Sequence, residues 1–298
     1  MSKILLAGVA VMDFVLSLDN FPANAQKYRA RDAMVVGGGC AANAAVAVSR
    51  LGGHALFAAR LGEDPIGDMI VSGLQDDGVD CALVKQFPGR RSSFSSVIVD
   101  AAGERQIVNF RDEDLSFDAG WLREQIPHDF NAALGDTRWP QGAAALMVAA
   151  KVLSRPGVID AEAPFDKCDA AMQSASHIAF SSQGLREFTG ILNLEDGLRK
   201  AGETFASFVC VTNGAENVLY LDRGEIRSIP SFDVGVVDTL GAGDAWHGAF
   251  TLALGEGKKE QEAIRFANAA AAIKCTRFGG RAGIPDRATV EKFLKEMT

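Results

Sequence analysis

Residues Ala132–Asp160 read AALGDTRWPQGAAALMVAAKVLSRPGVID. Ala132–Asp136 and Gly157–Asp160 are short apolar runs that end on an aspartate, and between them Gln141–Leu153 is Ala-rich and long enough for a helix. Strand, helix and strand in this order form the unit of a parallel sheet covered on both faces. The rhythm extends in both directions. Ile4–Val11, His54–Arg60, His177–Ser181 and Phe208–Thr212 read as strands, and Ala41–Leu51, Ile66–Asp77, Leu194–Ala201 and Ala245–Leu254 as helices. The strands are apolar nearly throughout, as burial on both faces requires. The class is α/β.

Two stretches break the pattern. Asp13–Val35 and Ser92–Phe110 show alternation, the second with a turn at Ala102-Gly103, so a hairpin and associated antiparallel strands are predicted. Inserted among α/β units, they predict a lid formed by about 13–35 and 89–111 on a single domain spanning 1–298. The 298 residues are 48% hydrophobic and 23% charged, which excludes a disordered or fibrous chain. Thirty Lys plus Arg against 38 Asp plus Glu leave a net charge of −8, so neither nucleic acid nor a membrane surface is an expected partner. The five cysteines are widely spaced without a C-x-x-C pair, which predicts reduced, mostly buried thiols in a cytoplasmic protein. Asp13 interrupts the apolar N-terminus before it could serve as a signal peptide, and no run reaches the ~18 residues of a membrane span.

The stretch richest in chemistry is Val237–Phe250, VDTLGAGDAWHGAF. Gly241, Ala242 and Gly243 let the backbone turn tightly and aim successive N–H groups at one point, where an apolar helix begins. A helix start stabilises negative charge, including that on a phosphoryl group in transfer. Asp244 stands at its mouth, placed to take the proton of an attacking hydroxyl. Taken alone, Asp244 reads more readily as a first-turn acid that complements the helix dipole.

DTLGAGD resembles the D-T-x-G-A-G-D motif of the ribokinase/PfkB family of sugar kinases, and GGGCAANAAVAVSRLGG at Gly37–Gly53 resembles that family's second glycine-rich element. The likeness continues through VMD at Val11–Asp13, GERQIVNF in the lid, VTNG at Val211–Gly214 and the tail FANAAAAIKCTRFGGRAGIP. It implies a three-layer α/β/α ribokinase-like fold with a small β-sheet lid, and an ATP-dependent carbohydrate kinase. It also implies ATP and Mg2+ as cofactors, with a monovalent cation as a further candidate. The alternating apolar residues of the lid leave edges and a face to cover, which predicts a homodimer paired through the lid. Carried over residue by residue, it makes Asp244 the catalytic base and the Gly241, Ala242 and Gly243 amides the anion hole. Asp13, Gly38 and Asn43 would bind sugar hydroxyls. Thr212 and Gly214 would contact nucleotide phosphate, and Asn268 would line the adenosine pocket.

Lys27, Asn109 and DTRW at Asp136–Trp139 resemble the branch of that family that phosphorylates sulfofructose, an anionic ketohexose. Lys27, Asn109 and Arg138 are therefore candidate anion contacts, because Arg offers a flat fork of donors and Lys a point charge. Arg90 and Arg91 are weaker ones. One departure concerns the metal. Where the family carries N-x-x-E before a T-G pair, counting back from Thr189-Gly190 gives Ser181 and Gly184, so the metal ligands are left unknown. Asp160 is a candidate to hold a metal-bound water. Other readings stay open: a ketohexokinase, ribokinase or fructose-6-phosphate kinase, a nucleoside kinase, or a sugar sensor without activity. A dinucleotide site is another, since Gly37-x-Gly39-x-x-Ala42 satisfies G-x-G-x-x-A, with Glu63 near the ribose-binding position.

Overall fold

The computed structural model describes residues 1–102, 104–166 and 168–297. The first half forms β1 (Lys3–Ala7), β2 (Val11–Ser17), β3 (Asp32–Gly38), α1 (Cys40–Arg50), β4 (His54–Gly62), α2 (Pro65–Asp76), β5 (Asp80–Phe87), β6 (Phe94–Val99), β7 (Arg105–Phe110) and α3 (Gly120–Gln125). There follow β8 (Ala132–Asp136), α4 (Pro140–Val152), β9 (Gly157–Ala161), α5 (Asp169–Ser174), β10 (His177–Ser181), α6 (Ser182–Thr189), α7 (Leu194–Thr204) and β11 (Phe208–Thr212). The chain closes with β12 (Val218–Asp222), β13 (Glu225–Ile229), α8 (Ala242–Gly255), α9 (Glu260–Cys275), a 3-10 turn at Gly280–Gly283 and α10 (Arg287–Glu296).

Among the described residues, nine strands form one sheet in the order β13-β12-β11-β10-β9-β8-β1-β4-β5. Pairing is parallel from β11 to β5 and antiparallel at the β12 and β13 edge. Neighbouring residues of β1 serve opposite layers. Ile4 and Leu6 share a core with residues of α1, α8 and α9, whereas Leu5 and Ala7 share one with residues of α4. Two apolar faces per strand explain why these strands lack a polar alternation. The predicted α/β fold, three layers around a mainly parallel sheet, is the one observed.

The predicted strand Ile4–Val11 is two strands in two sheets. The carboxylate of Asp136, at the end of β8, accepts the N–H of Val9 at 2.8 Å and of Ala41 at 3.2 Å. A Cβ on Gly8 would lie 2.1 Å from its Oδ2. Asp136 thus takes the place where β1 would continue, and the chain crosses into the smaller sheet.

That sheet has the order β3-β2-β6-β7 and holds both stretches that break the α/β rhythm. β2 pairs antiparallel with β3, and β6 with β7, while β2 and β6 run parallel. Gly103, at the predicted hairpin tip, lies outside the described residues. Val35 on β3 and Ile107 and Val108 on β7 are half or more exposed. Arg105, the first residue of β7, reaches Asp238 in the segment before α8 with its guanidinium 3.1 Å from Oδ1. None of the five cysteines is paired; Cys168 and Cys210 are buried, and Cys40, Cys81 and Cys275 are half-buried. Among the described residues no helix is long and apolar enough to cross a membrane.

Candidate active site

α8 begins three residues before the predicted Ala245, which puts Gly243 and Asp244 in its first turn. Gly241 precedes it in the left-handed region at φ 74°, a conformation that strains any side-chain-bearing residue. The N–H of Ala242 closes a turn on the Thr239 carbonyl at 3.1 Å. The N–H groups of Gly243 and Asp244 follow at the open helix end, where an α-helix offers no acceptor of its own.

Asn43 on α1 donates through Nδ2 to Asp244 Oδ2 at 2.7 Å. Burial, then the negative charge of Asp160, lifts the Asp244 carboxyl to about 7. His247, one turn further along α8, is buried with Nδ1 2.8 Å from the Gly243 carbonyl and Nε2 3.3 Å from that of Ala179. Burial holds its pKa below the ordinary value, so the ring is neutral at pH 7. Its Nε2 lies 3.5 Å from Asp160 Oδ1. Asp160, at the end of β9, is 4% exposed and that oxygen has no hydrogen-bond partner. Burial and the acids Glu162 and Asp136 push its pKa well up. Donor atoms of Cys40, Asp160 and Asp244 lie within 4.8 Å of one another. Burial and the surrounding carboxylates keep the Cys40 thiol protonated, which makes it a poor ligand for a hard cation.

A continuous line of polar groups runs from Asp244 toward the smaller sheet. Arg281 donates through Nε to Asn43 Oδ1 at 3.1 Å and through one terminal nitrogen to the Gly38 carbonyl at 3.4 Å. A Cβ on Gly37 would fall 2.1 Å from the guanidinium, and one on Gly38 would fall 2.5 Å from Asp13 Oδ2. Both glycines make room for a charged group. Burial raises the Asp13 carboxyl above its ordinary pKa, against the opposing effects of the Ser95 hydroxyl and Arg281. Asn109 on β7 donates to Ser95 Oγ at 3.1 Å and to the Phe94 carbonyl at 3.3 Å. Asp13, Gly38, Asn43 and Asn109 therefore lie along one path to Asp244.

Lys27 and Arg138 stand apart from that path. Lys27 is exposed on the 18–31 connection. Arg138 donates to the Ala163 carbonyl and lies 3.8 Å from Glu162. Among the described residues no hydrogen bond or ion pair joins Lys27, Asn109 and Arg138. Arg138, Glu162, Ser181, Gly184 and Glu187 border a cleft of about 390 Å³. Ser181 caps α6 by accepting the Gly184 N–H at 3.0 Å, and a Cβ on Gly184 would lie 2.4 Å from the Ala161 carbonyl oxygen. The backbone itself therefore excludes a glutamate at position 184.

On the other side of the α8 start lies a cleft of about 490 Å³ bordered by Thr212, Gly214, Ala242, Gly243, Trp246 and Asn268. Asn268 accepts from Trp246 Nε1 at 2.7 Å and donates to the Pro230 carbonyl at 3.0 Å, so its amide shapes the wall. Sequence reasoning overlooked Arg281, His247 and Ser95. An arginine set between glycines in GGRAG was the available signal for the first; nothing local marks the other two.

A sequence profile of the pfkB family carbohydrate kinases matches residues 1–287. The chain belongs to this family. It is an ATP-dependent sugar kinase. Ribokinase of Bacillus subtilis (strain 168) is 26% identical, with 99% of this chain and 100% of that protein covered. Fructokinase-1 of Zea mays is 32% identical over 87% of this chain and 88% of its own. The structure of Arabidopsis thaliana ribokinase complexed with ribose and ATP superposes with a TM-score of 0.87, covering 99% of each chain at 25% identity. Ribokinase of Thermotoga maritima gives 0.84 at 27% identity, covering 99% of this chain and 100% of that one. In this pfkB kinase Gly37 and Gly38 belong to β3 of the smaller sheet, which removes the dinucleotide reading: that fingerprint needs a turn after a strand of the parallel sheet.

Proposed function

We propose that this kinase transfers the γ-phosphoryl group of ATP to a primary hydroxyl of a ketohexose, with an anionic ketohexose such as 6-deoxy-6-sulfofructose as the preferred acceptor. The observation that carries the transfer is Asp244, a carboxylate with a pKa of about 7 at a helix start that borders the 490 Å³ cleft. Asp244 takes the hydroxyl proton, the freed oxygen bonds to the γ-phosphorus, and the bond from phosphorus to the ADP oxygen breaks. Negative charge on the moving group meets the Gly241–Gly243 backbone and the positive end of α8. Thr212 and Gly214 serve the nucleotide phosphates, beside a wall set by Asn268. Asp13, Gly38 and Asn43 serve the acceptor hydroxyls.

Magnesium, delivered with ATP, would neutralise charge on the transferred group. The unpartnered buried oxygen of Asp160 fits a hard cation or one of its waters, and Glu162 supplies a second carboxylate nearby. These two would stand in for what the family's N-x-x-E offers, since a Cβ at Gly184 would meet the Ala161 carbonyl oxygen.

Support for an anionic acceptor rests on Lys27, Asn109 and Arg138, of which Asn109 is already joined to Asp13 through Ser95. The smaller sheet acts as the lid, and its exposed Val35, Ile107 and Val108 support pairing with a second copy. A neutral acceptor is the second reading, favoured by the ribokinase and fructokinase relatives. The experiment is kcat/KM for sulfofructose, fructose 6-phosphate, fructose and ribose in wild type and Arg138→Ala. Preference for sulfofructose that collapses in the variant supports the anionic reading; preference for fructose or ribose, or equal losses on all four, rejects it.

A further inference from the structure

Arg281 has no task in the reading above, yet its guanidinium sits where the acceptor path meets the base. Its backbone is pinned by Arg50 of α1. One terminal nitrogen of Arg50 donates to the carbonyls of Arg281, Ala282 and Ile284 at 2.9, 3.2 and 3.2 Å, and the other pairs with Asp77 at 2.6 Å. From that fixed turn the Arg281 side chain crosses over Gly37, which has no Cβ to obstruct it.

A primary amide has one accepting and one donating end. The accepting end of Asn43 is taken by Arg281 Nε at 3.1 Å, so its donating end must face the other way, and there Nδ2 meets Asp244 Oδ2 at 2.7 Å. We propose that Arg281 is a positioning residue which fixes the amide orientation of Asn43 and, through it, the Asp244 carboxylate, leaving the other Asp244 oxygen to the acceptor hydroxyl. A guanidinium suits the task because it is always charged and cannot accept, so the amide never gains by turning its oxygen away. Once Arg281 is removed, either end of Asn43 can face Asp244, and the wrong end sets oxygen against oxygen.

The inference rests on Asp244 being the base, and a double-mutant cycle separates the two. Steady-state kcat and KM are measured with ATP and fructose for wild type, Asp244→Asn, Asn43→Ala, Arg281→Met and the Asn43→Ala/Arg281→Met pair. Residues acting through one contact lose their effects non-additively. Arg281→Met is expected to lower kcat about tenfold with KM for ATP within twofold, and the pair to lose no more than Asn43→Ala alone. Independent of turnover, the Asn43 side-chain NH2 resonances should shift on Asp244→Asn in wild type and shift far less in the Arg281→Met background. Arg281→Lys, a milder change, also offers only donors and should recover part of the kcat lost in Arg281→Met, because an ammonium near Asn43 Oδ1 imposes the same amide orientation. Losses that multiply, an NH2 shift unchanged by Arg281→Met, or an Arg281→Lys variant no more active than Arg281→Met overturn the proposal and leave the base intact. Full kcat in Asp244→Asn overturns both.

Discussion

Lys274 is wholly buried in α9, with its ammonium 2.7 Å from the carbonyl oxygen of Asp238 and 3.3 Å from that residue's carboxylate. The same carboxylate accepts the N–H groups of Leu240, Gly279 and Gly280. Removing one member of a buried pair strands the other, at a cost of about 3–5 kcal/mol. Lys274→Met should therefore lower the urea midpoint sharply, which equilibrium unfolding will read.

The pH dependence of that pair has a definite sign. Burial alone would raise the Asp238 carboxyl, but the Leu240 and Gly280 amides, the Lys274 charge and the Gly279 amide outweigh it and hold the pKa far below the ordinary value. A depressed carboxylate stabilises the fold above its unfolded pKa of about 3.9, and the gain fades as acid protonates it. Asp238→Asn should lower Tm at pH 7, with the gap to wild type narrowing below about pH 4. A gap that stays constant down to pH 3 would show that the charge on Asp238 is immaterial.

Asp244 carries the opposite sign. With its pKa raised to about 7, Asp244 in the proposed role of base is ready only above that value, so kcat should climb through pH 7 and then level off. Asp244→Asn keeps the shape and removes the basicity, and kcat should fall by ~10² or more. In the nucleotide-free protein the same substitution should raise Tm at pH 8, because a buried carboxylate with an elevated pKa weakens the fold as pH rises from about 4 to 7. The gain should vanish toward pH 4; differential scanning calorimetry across that range tests it.

Gly184 offers a steric prediction. Its absent Cβ would stand 2.4 Å from the Ala161 carbonyl oxygen. Overpacking of this kind costs about 1–3 kcal/mol, so Gly184→Ala should unfold at lower urea with no rescue by magnesium. Wild-type stability in the variant would mean that β9 and α6 can part to admit a side chain.

The exposed Ile107 and Val108 lead to a prediction about assembly. If the smaller sheet pairs with a second copy, analytical ultracentrifugation at micromolar concentration should give a dimer, and Ile107→Lys/Val108→Lys should give a monomer. A monomeric wild type removes the pairing.

The α/β class was legible because the centres of strands such as His177–Ser181 are buried on both faces, Ala179 in one core and Ile178 and Phe180 in the other, and so have to be apolar. Asp244 was legible because the small residues of the tight turn before it complete a family motif, DTLGAGD, without which it reads as a first-turn acid. The division of Ile4–Val11 into two strands was hidden, since the cause is Asp136, a residue more than a hundred positions away. Arg281 was hidden for the same reason: its partner Asn43 lies far off in sequence, and an arginine among glycines looks like a solvated loop until Gly37 and Gly38 are seen to make room for it and for Asp13. Arg138 was legible by type and position as a candidate anion contact, but sequence could not show its neighbours, the Ala163 carbonyl and Glu162.

The Arg105 contact with Asp238 ties the first residue of β7 to the segment that leads into α8. Any movement that parts the smaller sheet from the α8 start has to break it, and Asp238 then loses one of the cations that balance its charge. Leu240, whose N–H rests on that same carboxylate, stands directly before Gly241. One carboxylate thus fastens both the edge strand of the smaller sheet and the turn that opens α8, so a change at Asp238 reaches both at once.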